Sequence, residues 1–351
     1  MERDSHANNF DILRAIFAYL VVISHSRFLY GSNAEYLPFN LALASVQGFF
    51  VISGFLMALS LERQPGLRSY SIKRFFRIYP LYVIAITLQT IIFSLHAAPG
   101  SANLFSNAAK YYIANLLFLN FLKPSIGDIL DGLRVNAING ALWTLKIEVA
   151  FYCLAPFLLR LYKRTGAWIL ALCFAGSCLY TISLPSAKWT QQLPGQLRFF
   201  VIGILLFYYG RMLDQYKLGA FLGGVAGLTL TYVAVTFKWP VASVIAEVFD
   251  PIFLGLCVYA VAFAPYVWSV RYDFSYSAYI VHFPLIQLAL LHHLYLGTFW
   301  FFLPFTVAAT TALAWLSFRF VEKPSMDAGR ALAAKTSPTH AATPVALRQP
   351  C

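Results

Sequence analysis

DILRAIFAYLVVISH, residues 11–25, is an apolar stretch that carries Asp11, Arg14 and His25. A helix of this composition belongs in a bilayer, where each ionisable group is expensive and by default marks function. Arg14 and His25 stand about three helical turns apart, on nearly one face and about 16 Å from each other along the axis. Ala18 and Val21 fill the stripe between them, and Asp11 lies one turn before Arg14, within pairing reach. One helix thus presents a cation near one membrane surface and an imidazole near the other. The rest of the chain reads as the wall of a cavity around that line.

Of the 351 residues, 60% are hydrophobic and only 11% charged, against about 25% charged in soluble domains. The composition predicts an all-α polytopic membrane protein. Ten transmembrane helices are expected, at about 10–30, 41–61, 75–95, 143–162, 167–184, 196–212, 218–236, 241–264, 274–296 and 298–320. The segment 103–122, interrupted by asparagines and Lys110, reads as interfacial or re-entrant. From Ser325 the composition turns to Ala, Thr, Pro and Ser, so a transmembrane domain at 1–324 is followed by a disordered cytoplasmic tail at 325–351. The net charge of +12 follows the loops on one side of the membrane. It therefore indicates cytoplasmic termini and contact with the lipid bilayer, not nucleic acid. The cysteines show no metal-ligand or disulfide spacing. The first span is no cleavable signal, because it holds Asp11 and Arg14.

Orientation converts sequence position into depth. The first span runs outward, so Arg14 lies toward the cytoplasm and His25 toward the outside. The fourth runs inward from Trp143, an interfacial residue type, which places Glu148 about 7–8 Å down its helix, near the depth of His25. A carboxylate and an imidazole at one depth make a general base with an orienting partner; the competing reading is a pair that only ties two helices. Gln47, Lys146, Arg198, Glu247 and Asp250 add polar groups in the outer half, suited to a hydrated acceptor pocket, while Lys146 and Arg198 also read as interfacial snorkels. Asp250-Pro251 is expected to break or kink its span. At the inner side SIKRFFRIYPLY, residues 71–82, gathers Lys73, Arg74 and Arg77, a cluster fit for phosphates or for anchoring the span. His282, in SYSAYIVHFP, is placed in the inner half of the ninth span, as a functional or a core histidine. Gly48, Ser53 and Gly54 allow close approach of a neighbouring helix, and small residues also leave room for a narrow substrate.

Five stretches in order carry a resemblance: FDILRAIFAYLVVISH, GFFVISGFLM, KRFFRIYPLY, LWTLKIEVAFY, and SYSAYIVHFPL with RFVEKP. Together the chain resembles the bacterial membrane acyltransferases of the acyltransferase-3 family. The resemblance implies about ten helices in the inner membrane. It also implies transfer of an acyl group, often acetyl, from cytoplasmic acyl-CoA to a hydroxyl of a carbohydrate, glycolipid or small-metabolite acceptor, without a metal. It implies essential roles for Arg14 and His25, and Glu148 matches another recurrent position. Lys146 and Ile147 depart from the small or apolar residues common there.

On this reading Arg14, Arg74, Arg77 and His282 serve acetyl-CoA or another acyl-CoA, whose pantetheine arm threads along Ala18 and Val21. His25, oriented by Glu148, is the base, with an acyl-histidine route left open. Gln47, Arg198, Glu247 and Asp250 face the acceptor. Two other functions compete: a secondary transporter or exporter, and a subunit that passes acyl groups to a separate transferase. A transporter would show matched halves with paired broken helices, and the sequence shows no such symmetry.

Overall fold

Long apolar runs without backbone partners outside themselves must close their hydrogen bonds internally, so in lipid they become helices. A computed structural model of the protein describes residues 8–31, 41–64, 66–97, 103–268, 272–294 and 297–336. In chain order the helices are α1 (Phe10–Tyr30), α2 (Leu41–Arg63), α3 (Leu67–Ser94), α4 (Leu104–Leu116), α5 (Trp143–Thr165), α6 (Trp168–Ser183) and α7 (Ala187–Thr190). They continue with α8 (Leu193–Tyr209), α9 (Lys217–Thr236), α10 (Ala242–Ala262), α11 (Ser275–Leu291), α12 (Phe299–Ser317) and α13 (Lys323–Thr336).

The protein is an all-α polytopic membrane protein. Among the described residues eight helices are long and apolar enough to cross a membrane, and α6 and α11 are shorter apolar helices of 16 and 17 residues. These occupy the regions read as spans from the sequence. The 13-residue α4 is too short to cross. It is tied to α3 by the Tyr82 hydroxyl, which donates to the Asn115 carbonyl at 2.6 Å. Helix α1 packs between α2, α11 and α12, α8 lies behind α2, α6 and α10 pack against α8, and α9 packs against α10.

Prolines inside the spans leave carbonyls without their usual partner one turn back, and neighbouring side chains occupy three of them. Pro284 frees the carbonyl of Ile280, which accepts from Asn139 Nδ2 at 2.9 Å. Pro156 frees that of Tyr152, which accepts from the Tyr70 hydroxyl at 3.2 Å. Pro251 frees that of Glu247, where the Cys178 thiol donates at 3.6 Å. With its carbonyl occupied, α10 runs through Asp250-Pro251 without the break that was one of the two outcomes expected there, a break or a kink.

Helices α2 and α8 touch backbone to backbone. A Cβ at Gly54 would collide with the Phe200 carbonyl, and one at Gly203 with the Val51 carbonyl. Gly48 leaves room for the Phe17 ring of α1. The small residues of the second span are therefore packing devices on two faces. Gly54→Leu should lower stability in detergent by about 1–3 kcal/mol through overpacking, read as a drop in melting temperature. An unchanged melting temperature would mean that the two helices do not cross at this glycine.

The tail differs from expectation. A disordered segment was expected from Ser325, yet Lys323–Thr336 is helical and continues α12 through the π-turn Phe318–Glu322. Its alanines are strong helix formers, and it buries Ala333 and Gly329, the latter against the Phe76 ring of α3. Burial of that face gives the segment the tertiary support a polar tail lacks. The remainder of the expected tail, 337–351, lies outside the described residues.

Candidate active site

Helix α1 delivers its two ionisable residues to the same neighbour. Near its N-terminal end Arg14 Nη1 bonds Asp273 Oδ2 at 2.5 Å, just before α11 begins. Nearer its C-terminal end His25 Nδ1 lies 2.9 Å from His282 Nε2 of α11. The predicted pairing of His25 with Glu148 is not formed. Glu148 instead accepts from the Tyr152 hydroxyl at 2.7 Å, one turn along α5. Equal depth on two helices does not set the direction of a side chain around each axis, and α5 turns Glu148 toward the arginines. The acid that Arg14 meets is Asp273, a residue that sequence spacing did not single out.

Those arginines line a cavity of about 90 Å³ whose wall includes Arg14, Arg74, Arg77, Glu148, Tyr152 and Tyr279. α2 supplies its apolar side through Phe49, Phe50 and Leu56. Ala18 and Val21 do not line it: both have 0% exposure. The expected channel along α1 is thus closed by packing, and the open space runs beside α2 and α5. The Tyr279 hydroxyl is 2.7 Å from Thr144 Oγ1, and the Tyr279 ring meets the His282 ring with centroids 5.8 Å apart. One aromatic side chain separates the cavity from the histidine pair.

The three arginines are not equivalent. Arg77 Nη2 is 3.2 Å from Asp273 and Nη1 is 2.9 Å from Glu322, so it bridges two buried acids. Arg14 spends one nitrogen on Asp273 and keeps further donors of its five N–H groups. Among the described residues Arg74 has no carboxylate within ion-pair reach. It stacks over the rings of Tyr70 and Tyr152, and its Nε is buried without a partner. An incoming anion would complete it. Asp273, Tyr279 and Glu322 went unnoticed in the sequence although each lies in or beside SYSAYIVHFPL or RFVEKP. Charged or hydroxyl residues flanking a span on the same side as Arg14 were the available signal.

Burial raises the Asp273 carboxyl, but the Arg14 and Arg77 guanidiniums and the Ser275 hydrogen bonds outweigh it and hold it down at about 2, from an ordinary 3.8. A depressed acid stabilises the folded state above its unfolded value, and that contribution is lost as pH falls through the folded one. About 2 kcal/mol should therefore disappear between pH 4 and pH 2. Denaturation midpoints across that range should fall for the native protein and change less for Asp273→Asn. Equal slopes would mean that Asp273 is not held by the arginines.

The polar residues expected to face an acceptor lie elsewhere. Arg198 Nη2 pairs with Glu247, and its Nη1 donates to the Gly195 carbonyl. Asp250 accepts from Thr231 at 2.6 Å. This cluster sits among α6, α8, α9 and α10, and neither it nor Gln47 lines the cavity. Arg198 and Glu247 satisfy each other across helices, and Asp250 is satisfied by Thr231. Among the described residues no group of His, Cys, Asp and Glu could hold a metal.

The model of the acyltransferase-domain family known as acyltransferase 3 matches residues 8–319. The chain is 27% identical to a protein named O-acetyl transferase from Shigella phage Sf6, over 90% of this chain and 95% of that one. It is also 27% identical to nodulation protein 10 of Rhizobium leguminosarum bv. viciae, over 94% and 96% of the two chains. Acyltransferase MdmB of Streptomyces mycarofaciens aligns at 28% identity over 44% of this chain and 38% of its own length. No solved structure matches significantly. The family match spans nearly every described helix and contains the arginine cavity and the histidine pair: this chain belongs to the acyltransferase 3 family of membrane acyltransferases.

Proposed function

We propose that the protein is an integral-membrane O-acyltransferase. It moves an acyl group, acetyl in the first instance, from cytoplasmic acyl-CoA to a hydroxyl of a carbohydrate, glycolipid or small-metabolite acceptor. The observation that carries this reading is the cavity lined by three guanidiniums and by Tyr279, whose ring contacts His282 of the imidazole pair. The relative named O-acetyl transferase, aligned over almost its whole length, supports the acetyl group. Orientation follows from the loop charges: both termini in the cytoplasm of a bacterial inner membrane.

In this reading the donor's phosphates meet Arg74 first, because among the described residues it has no carboxylate partner, and then the spare donors of Arg14. Bidentate, charge-assisted bonds suit phosphate to guanidinium. The pantetheine arm lies along the apolar wall of α2 and brings the thioester past Tyr279 to His25. His25 takes the proton from the acceptor hydroxyl, whose oxygen attacks the thioester carbonyl. The C–S bond breaks, and the CoA sulfur leaves with the proton that His25 returns. Glu148 has no part in that proton transfer; it holds Tyr152 in the wall of the donor cavity.

Arg14→Lys keeps the charge but loses the planar fork. The donor KM should rise by about tenfold or more, the loss of one charge-assisted bond, with folded yield preserved. An unchanged KM would remove Arg14 from the donor site. The function as a whole is tested by mass spectrometry of surface glycans and secreted metabolites from a strain lacking the gene. Loss of an acyl mass increment is expected. An unaltered acylation profile with a changed export profile would favour the transporter reading.

A further inference from the structure

The pair formed by His25 and His282 does more than place two rings together. The two ring planes lie within 8° of each other with centroids 5.1 Å apart, the separation of rings that meet edge to edge. The 2.9 Å contact between His25 Nδ1 and His282 Nε2 therefore runs close to the shared plane, where an imidazole N–H and lone pair point. The other nitrogen of His282 is also engaged: Nδ1 is 3.2 Å from the carbonyl oxygen of Ala278, one turn earlier in α11.

A carbonyl oxygen only accepts, so Nδ1 of His282 carries a hydrogen. In neutral imidazole the second nitrogen is then an acceptor. A second proton on His282 would place a cation at a site of 0% exposure, with no carboxylate in ion-pair reach among the described residues, which is costly. His282 Nε2 thus accepts, and His25 Nδ1–H donates to it. The hydrogen on Nδ1 leaves the lone pair of His25 on Nε2. The identity of the basic nitrogen is set by the bond that the other nitrogen makes.

We propose that His282 is the positioning residue of the acyl-transfer site: its lone pair holds His25 in the Nδ1–H tautomer, so that Nε2 takes the acceptor's proton. This rests on the reading of His25 as the base. The neighbouring scaffold supports it. Asn139 fills the carbonyl that Pro284 frees at Ile280, two residues before His282, and Tyr279 is bonded to Thr144 and to the Ala141 carbonyl. The segment of α11 that presents His282 is thereby pinned from α5 and the turn before it. The ring of Phe283 closes against His25 edge to face, with centroids 5.2 Å apart. Where sequence position suggested donor binding for His282, its two bonds give it a different duty.

The test combines kinetics with nitrogen NMR on the full-length protein in nanodiscs, labelled with ¹⁵N-histidine, the His25 signals being identified by their loss in His25→Ala. In the native protein His25 should show a protonated Nδ1 and an unprotonated Nε2. His282→Ala should lower kcat by about 10²–10⁴-fold, the range seen when a catalytic imidazole loses its orienting partner, with the KM for acetyl-CoA changed less than about twofold. It should also shift the His25 nitrogens toward a tautomer mixture. His282→Gln, whose carboxamide oxygen can take the place of Nε2 as acceptor, should recover at least about tenfold over alanine.

Native His25 protonated at Nε2 would overturn the proposal without any variant. So would a His282→Ala protein with unchanged kcat, or a glutamine variant no better than alanine. If instead His25→Ala retains full activity, the assignment of the base itself falls, a result distinguishable from failure at His282 alone.

Discussion

Replacing His25 with alanine is expected to cut acyl transfer by about 10²–10⁴-fold, the usual worth of general-base catalysis, while acyl-CoA still binds. The separation of the two effects comes from the geometry. His25 is absent from the wall of the arginine cavity and meets α11 through His282, beyond Tyr279. Removing its ring leaves every guanidinium in place, so donor affinity should change little. The ring also packs edge to face against Phe283, and its loss opens a small space that costs some stability. His25→Gln keeps more of that volume and lacks a basic nitrogen, so it should be as inactive as alanine and better folded. Equilibrium binding of acetyl-CoA, measured beside turnover, separates the outcomes. A His25→Gln protein that binds donor and transfers at the native rate would remove His25 from the chemistry.

Arg77→Met should destabilise the protein by about 3–5 kcal/mol, the cost of leaving buried charges without a partner. That is a large part of the 5–15 kcal/mol a domain typically has. Arg77 bridges Asp273 and Glu322, and the Glu322 side chain has no exposure at all. Without the guanidinium, among the described residues Glu322 keeps the Ser277 hydroxyl at 2.5 Å, and Asp273 keeps Arg14 and Ser275. The bridge joins α3 to the start of α11 and to the π-turn after α12, so its loss should loosen the arginine end of the site. Replacing both members, as Arg77→Met with Glu322→Leu, removes the orphaned charge and should restore much of the stability. Melting temperatures of the two single variants and the double variant make the cycle. Additive losses would mean that the two side chains do not share a bond.

These two residues also show how far the sequence could be read. Arg14 and His25 were legible because charge inside an apolar run is conspicuous, and so were the spans, whose lengths follow from bilayer thickness. Arg77 was visible as a cation at a span edge, but its commitment to Glu322 and Asp273 was not. Both acids lie far along the chain and reach α3 only after α11 and α12 have packed. The partner of His25 was misread for the same reason. Depth can be counted along a helix, but rotation and adjacency depend on which helices touch, and His282 is 257 residues away in sequence. Glu148 stood at a plausible depth on a helix that turns it toward the arginines. Arg198, Glu247 and Asp250 looked like a ligand-facing set because each is polar in an apolar segment, whereas Arg198 and Glu247 pair with each other and Asp250 bonds Thr231. The helix at Lys323–Thr336 escaped notice because its buried face is made of Gly329 and Ala333, too small to raise a hydrophobic signal.

The central claim is that a donor entering from the cytoplasm is consumed at His25. It is tested most directly in sealed membrane vesicles of known orientation, prepared with native endogenous acceptor and supplied with acetyl-CoA labelled in the acetyl group. Inside-out vesicles, which in the proposed orientation present the arginine end to the added donor, should acquire label on a carbohydrate or other hydroxyl acceptor in a base-labile ester. Right-side-out vesicles and inside-out vesicles carrying His25→Gln should acquire none. Equal labelling from both orientations, or labelling that persists in the His25→Gln vesicles, would contradict the account.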